Sequence, residues 1–389
     1  MTTTDQLLQQ ISVPFEYPVV FTRALFDPGN PILVDVIRRK GEPRRHRVLA
    51  LIDGGVAKAR PGLSAEIQAY AAAHAEYIEL VQPPRVVSGG ESVKNDLMGL
   101  AGLINTMVER RLCRHSYVLV IGGGAVLDAI GFASALVHRG LRLIRVPTTV
   151  LAQCDSGVGV KNAINLNGVK NLVGTFAPPF AVLNDYDFLR TLPERGWTDG
   201  IAEAFKVAVI KDREFFDWLK TNAPALRARD EAAMEHLVRR CAELHMEHIR
   251  AHGDPFEFGT ARPLDFGHWS AHRLEAMSNY KVSHGHAVAI GLALDAAYAV
   301  AQGWLDAAEF DALYEGLVTC GFTLWHELLE RSRGGELDLL RGLHEFREHL
   351  GGELSLTMPK GLGASHEVGE VDHALIAHAV ARLKSLAHA

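Results

Sequence analysis

The run Tyr117-Val-Leu-Val-Ile121 passes directly into Gly122-Gly123-Gly124, after which the chain reads as a helix. A continuous apolar run of this length suits a strand buried on both faces, and such strands belong to parallel sheets covered by helices. A glycine triplet between strand and helix can cradle a phosphate, because the missing side chains admit it and the helix start offers free N–H groups. The residues from Gly122 to Asp128 match the dinucleotide fingerprint GxGxxG only in part, so a plain tight turn explains them equally well.

The same alternation recurs along the first half. Residues 47–52 read as a buried strand closing on Asp53-Gly54-Gly55, 63–74 as a helix and 77–81 as a strand. Gly89-Gly90-Glu91-Ser92-Val93-Lys94 leads into a helix to about residue 111, and the strand at 141–146 closes on Pro147-Thr148-Thr149. Residues 1–31, rich in proline, read as an irregular or β-rich lead-in. This order predicts an open, mostly parallel α/β sheet. From about Pro193 helical periodicity takes over, broken at Gly253-Asp254-Pro255, Gly334-Gly335 and Gly351-Gly352. The expectation is a Rossmann-like α/β domain over residues 1–190 and an all-helical domain over 191–389, packed around a cleft.

Net charge is −6 with no long run of either sign, which argues against a nucleic-acid or anionic-membrane partner. No apolar stretch reaches bilayer-spanning length, and the start MTTTDQLLQQ lacks the features of a signal peptide. Cys113, Cys154, Cys241 and Cys320 are far apart and form no CxxC pair, which suits a reduced cytoplasmic compartment.

The chemistry-bearing residues cluster in the second half. His268 and His272 are four apart on a helix, and His284 and His286 head the next apolar helix. A catalytic zinc takes three protein ligands and keeps one position open. Most lone histidines are packed or solvated residues, but this group has an acid to join it. Glu203 and Lys206, in Gly200-Ile-Ala-Glu203-Ala-Phe-Lys206, share one helix face in apolar surroundings where unpartnered charge is costly. Glu203, His268 and His284 make a metal set; an intrahelical ion pair with Lys206 is the plainer reading of Glu203. The segment Asp155-Ser-Gly-Val-Gly-Val-Lys161-Asn-Ala-Ile-Asn165, followed by Lys170-Asn171, offers lysines and amides to an oxyanion or phosphate, or is a solvated loop. Arg139 can clamp a phosphate. Asp53 can accept a ribose hydroxyl or cap a helix, and Glu91 and Lys94 pose the same choice.

Taken together, GGGAVLDAIGF, HRG, PTTVLAQCDSGVGVKNAIN, KN, GIAEAFK, FGHWSAH and HGHAVAIG resemble the sugar phosphate cyclase superfamily, whose best-known member is 3-dehydroquinate synthase. The match runs from about Asp53 to Gly291. It implies a homodimeric lyase with NAD⁺ and Zn²⁺, Co²⁺ being an alternative ion. The implied reaction oxidises a hydroxyl of a sugar phosphate, eliminates phosphate, returns the hydride, and closes a carbocycle by an intramolecular aldol step. By position, Asp155, Lys161, Lys206, His272 and Asp265 would carry polar steps, and Arg139, Lys161, Asn171, His245 and Arg347 would hold substrate or its phosphate. The cofactor would be met by Asp53, Glu91, Lys94, Gly122, Gly123, Gly124, Asp128, Thr148, Thr149 and Lys170, and the metal by Glu203, His268 and His284.

The chain also departs from the synthase pattern. Asp265 stands where the pattern has Asn, and Ala261 where it has Arg, with Arg262 beside it behind an apparent insertion at 254–260. His245 stands in place of a helix lysine, the carboxyl-terminal lysine gives way to Phe346-Arg347-Glu348-His349, and His286 replaces a usual Glu. Loss of groups that serve a substrate carboxylate points to a ketose phosphate with an uncharged head, sedoheptulose 7-phosphate, and a valiolone-type product. The alternatives are 3-dehydroquinate synthase itself, a metal- and NAD-dependent alcohol or glycerol phosphate dehydrogenase, and a non-catalytic relative.

Overall fold

The computed structural model describes residues 7–167, 169–251, 256, 263–349 and 353–388. Most of the apparent insertion at 254–260, positions 261 and 262, and the helix breaks expected at 253–255 and 351–352 lie outside the described residues.

The first half comprises β1 (Val19–Thr22), α1 (Ile32–Arg38), β2 (His46–Asp53), α2 (Gly54–Ala59), α3 (Leu63–Ala73), β3 (Ile78–Leu80), β4 (Arg85–Val87), α4 (Leu97–Glu109), β5 (Tyr117–Gly122), α5 (Gly124–Leu136), β6 (Arg142–Pro147), β7 (Lys161–Leu166), β8 (Val169–Phe176) and β9 (Ala181–Asp185). The sheet runs β1-β9-β6-β5-β2-β3, with β4 joining the far end of β2, and every pairing in it is parallel. Its central strand β5 is apolar and buried throughout because helices cover both faces: Ile67 and Tyr70 of α3 pack on one side, Leu103 of α4 and Ile130 of α5 on the other.

The segment around Lys161 differs from a plain glycine-containing loop. It begins as a π-helical turn (Ala152–Ser156) and ends in the antiparallel hairpin β7–β8, which lies outside the main sheet.

The second half comprises α6 (Glu194–Lys211), α7 (Arg213–Arg227), α8 (Glu231–Ala251), α9 (His268–Met277), α10 (His284–Ala301), α11 (Ala307–Thr319), the hairpin β10 (Ser332–Arg333) and β11 (Glu336–Leu337), α12 (Arg341–His349), the hairpin β12 (Leu356–Pro359) and β13 (Ser365–Val368), and α13 (His373–Ala387). It is helical as expected, with the two short hairpins as additions. Helices α6 and α10 are buried along most of their length and form the centre of this half; α10 is apolar nearly all round, which is why its sequence shows little amphipathic stripe. Among the described residues no helix is long and apolar enough to cross a membrane.

Candidate active site

Glu203 and Lys206 lie one turn apart on α6 and are both buried. His268 is the first residue of α9 and His284 the first of α10. Glycines let these helices come together: a Cβ on Gly285 would sit 2.3 Å from the Asp199 carbonyl oxygen of α6, and one on Gly291 2.1 Å from that of Gly267. His268 Nε2 thus comes 3.6 Å, and His284 Nε2 3.3 Å, from Glu203 Oε1. Donor atoms of the three residues lie within 4.8 Å of one another, and the His272 ring centroid is 5.4 Å from that of His268 and 5.9 Å from that of His284.

The charges here are tightly interlocked. Lys206 Nζ lies 2.5 Å from Glu203 Oε2 and 3.4 Å from Asp155 Oδ2, and His245 Nδ1 of α8 lies 2.9 Å from Asp155 Oδ1. Burial pushes Lys206 down, but Glu203, Asp155 and Asp265 outweigh it and hold the ammonium above its ordinary range. Burial likewise works to raise Asp155 and Glu203, yet Lys206 with His245 keeps the first ionised and Lys206 with His268 keeps the second well below the usual carboxylate range.

The intrahelical Glu203–Lys206 pair is therefore present, but it does not satisfy the glutamate. Among the described residues both carboxylate oxygens are buried without a well-aligned hydrogen bond. Two imidazole nitrogens and an unsatisfied carboxylate are the donors a divalent transition-metal ion takes. The other ring nitrogens are anchored as such ligands require: His268 Nδ1 is 3.0 Å from the Phe266 carbonyl oxygen and His284 Nδ1 is 3.2 Å from Glu275 Oε2. His272, Glu275 and His284 form a second compact set. It suits a cation less, because Lys170 Nζ already donates to Glu275 Oε1 at 3.0 Å.

Across the π-helical turn lies the glycine triplet. The Gly122 carbonyl accepts from Thr148 N at 3.0 Å, and a Cβ on Gly123 would touch the Thr149 methyl at 3.4 Å. A Cβ on Gly124 would sit 2.5 Å from Ser156 Oγ, a buried hydroxyl with no hydrogen-bond partner among the described residues. No side chain caps the α5 amino terminus. A bare helix start beside an unpartnered hydroxyl fits a dinucleotide pyrophosphate. Asp53 is buried at the end of β2 and accepts from Gly55 N at 2.7 Å, so it does cap α2. Lys94 is also buried, donating to Asp128 Oδ2 at 2.6 Å and Asn171 Oδ1 at 2.8 Å, while Glu91 Oε1 accepts from Asn165 Nδ2 at 3.2 Å.

The sequence pattern described as 3-dehydroquinate synthase N-terminal matches residues 85–199, and that described as 3-dehydroquinate synthase C-terminal matches residues 200–337. A 3-dehydroquinate synthase of Alkaliphilus metalliredigens is 35% identical over 292 residues, which is 73% of this chain and 78% of that protein. The chain belongs to the 3-dehydroquinate synthase family. Among solved structures, ValA (2-epi-5-epi-valiolone synthase) of Streptomyces hygroscopicus, with NAD⁺ and Zn²⁺ bound, is 28% identical, with a TM-score of 0.83 over 98% of this chain and 99% of that one. A 2-deoxy-scyllo-inosose synthase complexed with carbaglucose-6-phosphate, NAD⁺ and Co²⁺ is 20% identical and shares the fold, with a TM-score of 0.73 over 94% of this chain and 96% of that one.

The structure brings some of the site residues expected from the sequence together and leaves others apart. Asp155, Lys206, His245, Asp265, Glu203, His268, His272 and His284 converge. Asn171 Oδ1 accepts from Lys94, which also donates to Asp128 on α5. Lys161 is the first residue of β7, on the exposed side of that strand. Lys170 does not turn to the glycine triplet as a cofactor contact; its ammonium goes to Glu275 and sits 4.9 Å over the Tyr280 ring, because β8 carries it to the α9 side. Arg139 does not reach the site within this chain. It follows α5, whose length of roughly 20 Å separates it from the triplet at the other end, and it is exposed. Arg347 is exposed on α12 and bonds to none of the described residues.

Two functional-looking residues, Glu275 and Asp295, carry no motif that singles them out in the sequence. Glu275 orients His284, and its signal was its spacing, one helical turn beyond His272 and two beyond His268. Asp295 is buried on α10 and accepts from Trp269 Nε1 at 2.9 Å and Gly267 N at 3.1 Å, bracketing His268. His286 lies outside the two compact donor sets: its Nδ1 is 3.0 Å from Ser283 Oγ and 3.2 Å from Asp199 Oδ1, tying the start of α10 to α6.

Proposed function

We propose that this chain is an NAD⁺-dependent, Zn²⁺- or Co²⁺-dependent sugar phosphate cyclase whose substrate is a ketose phosphate with an uncharged head, sedoheptulose 7-phosphate. It releases phosphate and forms a valiolone-type cyclitol. The observation that carries the substrate reading is the charge around Lys206. The ammonium faces Glu203, Asp155 and Asp265, and the place of the family's helix lysine is taken by His245, already committed to Asp155. A substrate carboxylate would meet Asp265 and, among the described residues, find no additional fixed cation in place of the family's helix lysine, whereas a hydroxyl can donate to it. The 28% identity to a 2-epi-5-epi-valiolone synthase over nearly the whole chain supports a valiolone-type product. The 35% identity to a 3-dehydroquinate synthase supports the runner-up.

Glu203, His268 and His284 would hold the ion, and the glycine triplet with Ser156, Thr148, Thr149 and Asp53 would hold the dinucleotide. When bound, the two supply reversible oxidation of a substrate hydroxyl, the ion polarising its oxygen. Lys206, kept protonated by its carboxylate neighbours, donates a hydrogen bond to a substrate oxygen rather than acting as a base. Asp155, kept ionised, accepts from a substrate hydroxyl, and His245 steadies it. Crowding by surrounding protein atoms, with His268 and His284 beside it, holds His272 well below the usual imidazole range, so it stands neutral by the metal set and can accept a hydrogen bond from a substrate hydroxyl. Lys161 and Asn171, on the hairpin, hold the phosphate.

This reading divides the chain near residue 190, with the dinucleotide on the sheet and the metal and substrate on the helices. It expects a cytoplasmic homodimer that needs neither nucleic acid nor membrane. Following phosphate and NADH together during incubation of the metal- and NAD⁺-loaded protein with sedoheptulose 7-phosphate tests it. Phosphate release without net NADH is the cyclase result; NADH accumulation without phosphate is the dehydrogenase result and overturns the reading.

A further inference from the structure

Arg145 is the fourth residue of β6, in the middle of a buried strand, and its side chain is fully enclosed. An arginine so placed has to find acceptors, since a buried guanidinium without partners is very costly. Among the described residues no carboxylate lies within ion-pair distance of it. It is spent instead on backbone. Its Nη1 lies 3.4 Å from the Ser156 carbonyl oxygen, 3.2 Å from that of Gly157 and 2.8 Å from that of Gly159. Its Nη2 donates to the Lys161 carbonyl at 2.9 Å and to Asn162 Oδ1 at 2.7 Å.

The carbonyls that Arg145 leaves are taken as well. Tyr17 Oη donates to Val158 O at 2.8 Å, and Ala177 N donates to Val160 O at 2.9 Å. Every carbonyl from Ser156 to Lys161 therefore has a fixed donor, four of them from one guanidinium. Asn162 extends the clamp through Nδ2 to Ala177 O at 3.2 Å, and its amide packs where a Cβ on Gly131 would be only 1.8 Å from Oδ1. This segment has Asp155 immediately before it, Ser156 against Gly124 at its start, and Lys161 near its end. It contains two glycines and no regular ladder until β7, so its own propensity does not fix its path.

We infer that Arg145 is a positioning residue: its guanidinium is the template on which the 156–162 backbone is moulded, and it sets where Asp155, Ser156 and Lys161 stand relative to dinucleotide, metal set and phosphate. It touches neither substrate nor cofactor. The inference rests on the proposed roles of Asp155 and Lys161, but the shape it gives the segment does not.

The test uses full-length Arg145→Lys and Tyr17→Phe, with hydrogen exchange of residues 156–162 and steady-state phosphate release measured in parallel. Lysine keeps the charge and loses the planar fork that reaches several carbonyls at once. Faster exchange in 156–162 with protection retained in β5 and α10, a kcat reduced about tenfold or more, and bound metal unchanged are expected for Arg145→Lys. Guanidinium ion added at millimolar concentration to a third variant, Arg145→Ala, should restore part of the lost kcat, which a loss of general stability would not allow. Tyr17→Phe gives up a single bond from a half-buried ring and stays folded; it should raise exchange around Val158 and lower kcat less. Unchanged exchange in 156–162 for both Arg145→Lys and Tyr17→Phe overturns the inference whatever the turnover. Absence of phosphate release from the unaltered protein instead overturns the proposed function and leaves the exchange comparison standing.

Discussion

Nδ1 of His245 lies 2.9 Å from Oδ1 of Asp155, so the helix position at which the synthase pattern carries a lysine here ends on a carboxylate that Lys206 also engages. The imidazole is committed to Asp155, whereas a lysine at this position would carry a longer, flexible ammonium. His245→Lys is expected to bring back a cation able to meet a substrate carboxylate. Its kcat/KM for the carboxylated heptulosonate phosphate, relative to that for sedoheptulose 7-phosphate, should rise by about tenfold, the worth of one charged hydrogen bond. Steady-state kinetics on both substrates check this, and an unchanged ratio would remove His245 from the account of specificity.

The two compact histidine–carboxylate sets share His284, and substitution separates them. Glu203→Gln removes a ligand and should abolish tight binding of the ion. Glu275→Gln leaves the ligands in place and loosens only the partner of His284 Nδ1, so affinity should fall by roughly 10–100-fold. Titration against a zinc chelator measures both. The reverse order of severity would place the ion in the His272–Glu275–His284 set.

Protons should leave when the ion arrives. Burial would lower His284, but Glu203 and Glu275 outweigh it and push it up to about 10 in the ion-free protein. Raised above its unfolded value, it contributes stability that is full below about 6.5 and is lost as pH rises through about 10. A metal ion replaces that proton, so binding near pH 8 should release about one proton and strengthen as pH rises across this window. Calorimetry in buffers of different ionisation enthalpy counts the proton; a count near zero would contradict the protonation assigned to His284.

Asp295 gives a pH dependence of opposite origin. Burial pushes its carboxyl up to about 7 against the bonds from Trp269 and Gly267. The folded state therefore holds this proton more tightly than the unfolded state, and stability falls as pH rises from about 4 to about 7. Asp295→Asn carries no charge to bury. Relative to the unaltered protein, its unfolding free energy should improve by on the order of 2–4 kcal/mol between about pH 5 and about pH 8. Urea denaturation at the two pH values decides, and a pH-independent difference would mean that Asp295 is ionised throughout.

The fold was legible where sequence period and burial agree. The strands around Leu49, Leu119 and Ile144 are apolar because helices cover both faces, and the glycine triplet falls where strand meets helix. The hairpin β7–β8 was not legible, because Gly157, Gly159 and the amide side chains suppress any strand signal and the path depends on Arg145 from a distant strand. The metal set could be named from helix spacing and residue type. The destination of Lys170 could not, since only the three-dimensional course of β8 places it against Glu275. Arg139 shows the limit of motif position: HRG matches, yet the length of α5 carries it away from the site in its own chain.

Substrate discrimination is the measurement that bears most directly on the account. Phosphate release from sedoheptulose 7-phosphate and from the carboxylated heptulosonate phosphate should be measured side by side on the NAD⁺- and zinc-loaded protein. The charge arrangement around Lys206, Asp265 and His245 predicts efficient release from the first and little from the second, with a cyclitol identified by NMR. Efficient release from the carboxylated substrate, with little from sedoheptulose 7-phosphate, would contradict it and make this chain a 3-dehydroquinate synthase with an altered site.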